Sequence, residues 1–216
     1  MCVLASVAIR FSFAVIVAGL LATVFPASSP AFASAPRTPL FAPIGVAAKA
    51  PKGWADFCVR NALDCKAKRR VVRYIRLSPA IWNKLVTVNA WVNERIRPKV
   101  DMRHWGVPER WDYPTDGYGD CEDYALLKRR ILIELGLPRE ALLMTVVWDQ
   151  ESQGHAVLTV HTNGGDYILD NRVSEIRLWS RTGYSFVKRE SPSDPNVWVY
   201  IDGEPQTQPT AVASGF

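Results

Sequence analysis

Histidine and cysteine are scarce. Three histidines (His104, His155, His161) and four cysteines (Cys2, Cys58, Cys65, Cys121) occur in 216 residues, and no Cys-x-x-Cys pair exists. The histidines are scattered rather than spaced as ligands, which argues against zinc. Long apolar runs are also missing. Phe11 to Phe25 has 15 residues, against the roughly 20 that a transmembrane helix needs. A strong charge bias is absent too, with 26 basic residues against 21 acidic ones. No nucleic-acid module is recognisable, so no nucleic-acid partner is expected. The main basic cluster, Lys66 to Arg76, reads as a solvated face.

The N-terminus carries an address. Arg10 precedes the apolar run, and Pro26 and small residues follow through Ala31-Phe32-Ala33. That is a positive segment, a short apolar segment and a small-residue cleavage site. Residues 1–33 are expected to be a secretory signal, with an uncleaved anchor as the alternative. The mature protein is then expected in the periplasm or outside the cell. Removing Arg10 leaves 25 basic residues against the same 21 acidic ones. About 180 residues remain, enough for one sizeable core. Residues 34–50 are rich in Ala and Pro and read as a flexible lead-in. The domain is placed at 51–203, and 204–216 reads as a flexible tail.

Cys58 and Cys65 have six residues between them. In an oxidising compartment they can pair. Cys121 is then the odd thiol, and an odd thiol in an exported protein points to a reactive group.

Helical spacing frames that thiol. Ser78-Pro79 gives an N-cap and a proline at the first helical position. Ile81, Leu85, Val88, Val92 and Ile96 follow at helical intervals, and Pro98 ends the helix. Residues 98–118 read as an irregular segment holding Trp105, Trp111, Tyr113 and Tyr118. Those aromatics fit either packing or a substrate cleft wall. A second helix is predicted from about Cys121 to Leu135, burying Tyr124, Leu127, Ile131 and Leu135. Cys121 would open that helix, where the dipole and unpaired backbone N–H groups favour thiolate.

Strands follow. Leu142 to Trp148, His155 to Thr162 and Asp166 to Asp170 are strand-like, and Asn163-Gly164 is a strong hairpin signal because both positions tolerate positive φ. With those two residues as the loop, Thr162 opposes Gly165 and Val157 opposes Asp170. His155 and Asp170 then share a face as diagonal neighbours, roughly 7–8 Å apart at the backbone. A one-residue slip would separate them.

This arrangement supports nucleophilic chemistry. Cys121 would attack a carbonyl carbon, His155 would move the proton, and Asp170 would hold the imidazole. The Cys121 N–H is an oxyanion donor candidate. His161 is the rival base. It opposes Asp166 near the hairpin tip, where exposure to solvent is expected.

Gly119-Asp120-Cys121-Glu122-Asp123-Tyr124-Ala125, His155-Ala156-Val157-Leu158 and Leu169-Asp170-Asn171 together resemble the bacterial transglutaminase-like cysteine proteinases. The resemblance extends to Asn89-x-x-Val92-Asn93, Asp101, Trp105-Gly106, Trp111 and the Cys58/Cys65 pair, over nearly the whole mature chain. It implies a papain-like α+β fold, with a nucleophile helix packed on an antiparallel sheet. It also implies Cys121, His155 and Asp170 as the triad. The LapG-type members are calcium-dependent periplasmic proteases that clip large cell-surface adhesins. They are held by an inner-membrane cyclic-di-GMP receptor. Asp120 and Glu122 match the positions that bind calcium there.

Local charge bears on the metal. Asp120, Glu122 and Asp123 crowd Cys121, and like charge raises a thiol pKa. Calcium on Asp120 and Glu122 would reverse that sign, since carboxylate oxygens are its preferred ligands. The alternative is structural, with Asp120 as N-cap and Asp123 completing a capping-box-like pair. Three functions are compatible with these residues: a periplasmic endopeptidase, a transglutaminase-type acyl transferase, and a non-catalytic module of the same fold.

Overall fold

A computed structural model describes residues 39–65, 74–194 and 197–201. The signal segment, residues 34–38 of the lead-in, most of the basic cluster (66–73) and the tail lie outside the described residues. The chain forms β1 (Ala47–Ala48), α1 (Lys52–Arg60), α2 (Ala62–Cys65), α3 (Pro79–Arg95), β2 (Arg97–Pro98), α4 (Asp101–His104) and β3 (Tyr118–Gly119). Then come α5 (Cys121–Glu134), β4 (Leu142–Trp148), β5 (Gly154–Thr162), β6 (Gly165–Leu169), β7 (Arg177–Leu178), β8 (Ser185–Glu190) and β9 (Trp198–Tyr200). Seven strands build an antiparallel sheet in the order β1-β9-β8-β4-β5-β6-β7. This is the expected α+β architecture.

Both faces of the sheet are covered. On one, α5 packs against β5 and α3, around a core that includes Phe57, Leu85, Val92, Leu126, Leu132, Met144, Leu158 and Leu169. Each such side chain contributes roughly 1.5–3 kcal/mol by leaving water. On the other face a smaller cluster gathers Ala42, Val147, Val157, Ile168, Phe186 and Ile201. The alternation along β5 divides these sets, as period-two geometry requires.

The register follows the reading above: Thr162 opposes Gly165 and Leu158 opposes Leu169. The turn differs. Neither Asn163 nor Gly164 takes positive φ, and the left-handed residue is Gly165 at φ 131°. Asn163 is held by a neighbouring segment. Its N–H donates to Ile75 O at 3.0 Å, and its side-chain oxygen accepts Leu77 N–H at 2.8 Å. A Cβ on Gly165 would also lie 2.7 Å from the Leu40 carbonyl oxygen.

That contact belongs to a second correction. Residues 39–50 are bound to the sheet rather than free. Asp166 N–H donates to Leu40 O, Ala42 N–H donates to the Asp166 carboxylate, and Ala47 pairs with Val199. Edge backbone groups of the sheet need partners, and this segment supplies them. Its Ala and Pro content does not report that.

The first long helix forms as predicted. The Ser78 hydroxyl accepts Ile81 N–H at 3.3 Å. Leu85, Val88, Val92 and Ile96 are buried, while Ile81 is half-buried. The second is rotated from expectation. Tyr124 is buried, Leu127 and Ile131 are half-buried, and Leu135 is exposed. Lys128 and Arg129 are buried instead. Arg129 has a charge partner outside the helix, the buried Glu190 at 3.1 Å, and the Lys128 ammonium lies over the Tyr124 ring. An apolar count along one helix cannot anticipate such a partner.

In the segment 98–118, packing claims Trp111 and Tyr113. Trp111 is fully buried against Trp54 and Trp198, and Tyr113 packs edge-on against Phe57. Trp105 stays exposed under the Arg110 guanidinium. Among the described residues, no helix is long and apolar enough to cross a membrane.

Candidate active site

The short parallel pair β2–β3 delivers the chain to the thiol. Pro98 lies opposite Gly119, and Lys99 N–H donates to Gly119 O at 2.9 Å. Gly119 is needed for close approach: a Cβ there would lie 2.7 Å from Asp123 Cβ. Asp120 is extended at the N-cap, but its side chain makes no cap hydrogen bond. The N-cap account of Asp120 is therefore not what the geometry uses. Its Oδ2 accepts Asp101 N–H at 3.2 Å instead.

Cys121 is the first residue of α5 and is buried. Its Sγ accepts the Ala156 backbone N–H at 3.3 Å and donates toward Glu122 Oε2 at 3.2 Å. Burial pushes the thiol pKa well up, the Asp120 charge adds to this, and the Ala156 N–H and Glu122 contact oppose it. Burial and that charge act against the lowering of the thiol pKa expected from the helix start.

His155 is the second residue of β5, the strand whose Ala156 N–H meets this sulfur. Its Nε2 lies 2.9 Å from Asp170 Oδ1, and both residues are buried. Nδ1 is buried without a hydrogen-bond partner. The thiol therefore sits beside the residue that follows His155, with no hydrogen bond to the ring among the described residues.

Asp170 is held on every side. Arg172 N–H donates to Oδ1 at 3.0 Å, Tyr184 Oη donates to Oδ2 at 2.5 Å, and Asn93 Nδ2 donates to the Asp170 carbonyl at 2.9 Å. Burial alone would raise its pKa. The hydrogen bond and charge of His155, then Tyr184 and Arg172, outweigh that and hold it at about 2.

The rival histidine has other work. His161 Nδ1 lies 2.6 Å from Asp166 Oδ1, and Asp166 Oδ2 accepts from Arg189 at 2.7 Å and from Ala42 N–H at 2.9 Å. It is half-buried beneath Phe41 rather than solvated, because residues 39–42 cover the hairpin. It also stands six residues along β5 from His155, about 20 Å at strand spacing.

Three buried carboxylates converge beside the thiol. One oxygen each from Asp101, Asp120 and Glu122 lie within 4.8 Å of one another. Asp101 Oδ1, Asp120 Oδ1 and Glu122 Oε1 have no hydrogen-bond partner. Burial, then the Asp101 charge, pushes Asp120 up to about 7, and burial with Asp120 pushes Glu122 well up. Orphaned buried oxygens in a cluster are the donor set a hard cation takes. Asp123 stands apart, its Oδ1 accepting Asp112 N–H at 2.8 Å.

Some of this was beyond the sequence. Asp101 lies 19 residues before Asp120 on another element, so no local spacing marks it as a ligand. Tyr184 carries no motif at all. Asn89 and Asn93 gain a reason, since their amides tether the carbonyls of Ser174 and Asp170 after β6.

Cys121 at a helix start, next to the strand that carries His155 and its partner Asp170, is an arrangement compatible with a thiol nucleophile and a base. The family model for the bacterial transglutaminase-like cysteine proteinases (BTLCP) matches residues 44–206, and the chain belongs to that family. It is a cysteine peptidase of that type. Three solved structures of LapG from Legionella pneumophila are similar. The calcium-bound form is 24% identical, covering 63% of this chain and 76% of that one at a TM-score of 0.48. A second LapG structure is 28% identical, covering 57% and 71% at 0.47. The EGTA-treated form is 29% identical, covering 53% and 64% at 0.45, so this chain spans under two thirds of its length. No curated protein matches.

Proposed function

We propose that this chain is a periplasmic cysteine endopeptidase with Cys121, His155 and Asp170 as its triad. The observation that carries the reading is the His155 Nε2–Asp170 Oδ1 contact at 2.9 Å, with Nδ1 left without a partner beside the strand residue that binds the Cys121 sulfur. Nδ1 is then the base. The thiol proton passes to it as the Sγ–C bond forms. The same proton goes to the leaving amine as the C–N bond breaks. Water, deprotonated by Nδ1, hydrolyses the thioester and returns the acid and the thiol. Asp170 keeps the proton on Nε2 and stabilises the imidazolium. The Cys121 N–H, first in α5, has no acceptor within the helix and serves the developing oxyanion.

Asp101, Asp120 and Glu122 are the residues that would hold calcium. Bound there, the cation would neutralise the negative charge that opposes ionisation of the thiol. The orphaned oxygens support this fit. By resemblance to the LapG-type members, the substrate is a cell-surface adhesin or another envelope protein. By the same resemblance, the partner is an inner-membrane cyclic-di-GMP receptor.

The test is an envelope protein fraction incubated with the full-length protein in calcium or in chelator, with new N-termini read by mass spectrometry. Cleavage that vanishes in Cys121→Ala is the expected result. The same termini from Cys121→Ala would end the reading.

A further inference from the structure

We propose that Tyr184 is a positioning residue for the triad, fixing the Asp170 carboxylate and closing it off from water. The inference rests on the triad reading above. Tyr184 Oη donates to Asp170 Oδ2 at 2.5 Å, and its ring meets the His155 ring edge-on with centroids 5.5 Å apart. One side chain therefore touches both members of the pair.

The two carboxylate oxygens have separate duties. Oδ1 takes His155 Nε2 and Arg172 N–H. Oδ2 takes the tyrosine. Beside it lies a small open pocket whose lining includes Asp170, Ile168, Glu175, Thr182 and Tyr184. Without the hydroxyl, Oδ2 would face that space, accept water and turn. A turning carboxylate no longer fixes which imidazole nitrogen carries the proton, and Nδ1 must stay free to act as base.

Tyr184 is itself anchored. Its N–H donates to Thr182 Oγ1 at 3.2 Å, and that hydroxyl donates to Trp179 O at 2.9 Å. The turn before β8 thus aims the phenol at the pair. The other charged groups that bear on Asp170 and Tyr184 are Lys128 from α5, Arg172 and Asp149. None of them replaces the short contact to Oδ2.

Tyr184→Phe keeps the ring and removes the hydroxyl. Iodoacetamide alkylation of Cys121 should slow about tenfold, the scale of one hydrogen bond to a charged group. The His155 Nε2–H proton, followed by ¹H–¹⁵N NMR, should exchange with water about tenfold faster, the same hydrogen bond being lost. The melting temperature should fall by no more than several degrees, the scale of that one hydrogen bond. In an Asp170→Asn background, Tyr184→Phe should slow alkylation no further, because the hydroxyl acts through the carboxylate. That cycle is read on alkylation rates and also decides the case if the single variant is less stable. Additive slowing, or parental alkylation and exchange in Tyr184→Phe, would overturn the role of Tyr184. His155→Ala is the separate control. Undiminished alkylation there would sink the triad reading and this inference with it. Slowed alkylation there, with Tyr184→Phe unaffected, would remove Tyr184 alone.

Discussion

Asp170 Oδ1 and His155 Nε2 lie 2.9 Å apart, His155 within β5 and Asp170 directly after the end of the neighbouring antiparallel β6. The hairpin register sets Leu169 opposite Leu158 and so carries Asp170, the next residue, toward His155. A carboxylate on Nε2 leaves Nδ1 as the basic nitrogen. Asp170→Asn can offer Nε2 an acceptor, but it removes the charge that stabilises imidazolium. Cleavage of envelope protein should fall by roughly a hundredfold or more, with the fold retained at neutral pH. Turnover rates and circular dichroism of the variant check both halves.

The same carboxylate gives an acid-stability signature. Its pKa is held at about 2 in the folded protein against an ordinary 3.8. A depressed folded value contributes stability above the unfolded value and loses it as pH falls toward the folded one. The contribution is about 2 kcal/mol at neutral pH, lost between about pH 4 and pH 2. Denaturant titrations across that window should show Asp170→Asn converging on the parent at the acid end. A constant gap at all pH values would contradict the assignment.

Glu190 tests how α5 is docked. Its buried carboxylate meets Arg129 at 3.1 Å and Arg139 at 3.5 Å, and accepts Met144 N–H at 3.0 Å. Glu190→Gln leaves buried guanidinium charge without its partner. The expected loss is about 3–5 kcal/mol, measured by chemical denaturation.

These residues also show where sequence reading stops. The hairpin carried its own register, because one apolar face and a two-residue loop permit few alternatives. His155 and Asp170 were therefore legible as a pair, and Cys121 as the odd thiol. The rotation of α5 was not legible. Lys128 and Arg129 are buried, and Lys128 is pushed down to about 7 by burial, with Asp170 opposing. Helical periodicity counts apolar positions and so assigns such residues to solvent. Asp101 was hidden for another reason. Its partners lie across the parallel β2–β3 pairing, which only the fold brings together.

Gly119→Ala probes that pairing. The new Cβ would lie 2.7 Å from Asp123 Cβ and 2.8 Å from its Oδ2. Neither the β2–β3 pairing nor the first turn of α5 can move without shifting Cys121. Overpacking of this kind costs about 1–3 kcal/mol. Activity should fall more than stability does, since Cys121 follows two residues later. Parallel melting and turnover measurements separate the two losses.

Asp101 is the residue on which the proposed calcium site is best tested. The carboxylates of Asp101, Asp120 and Glu122 are buried together, and each keeps one oxygen without a hydrogen-bond partner. Buried carboxylate oxygens left unmatched are costly, and a hard cation with oxygen ligands would match all three at once. Asp101→Asn keeps the size of the side chain and removes one negative charge from the set. Calcium affinity, measured by calorimetry, should weaken at least about tenfold, since affinity at such sites follows ligand charge. Asp120→Asn should do the same. Asp123→Asn should not, because Asp123 serves the Asp112 backbone and lies outside the cluster. Magnesium should bind less well in every case, as it demands a tighter octahedral set. Equal calcium affinity in Asp101→Asn and the parent would exclude Asp101 as a ligand. No binding heat at millimolar calcium, with full cleavage activity in chelator, would exclude calcium from the cluster.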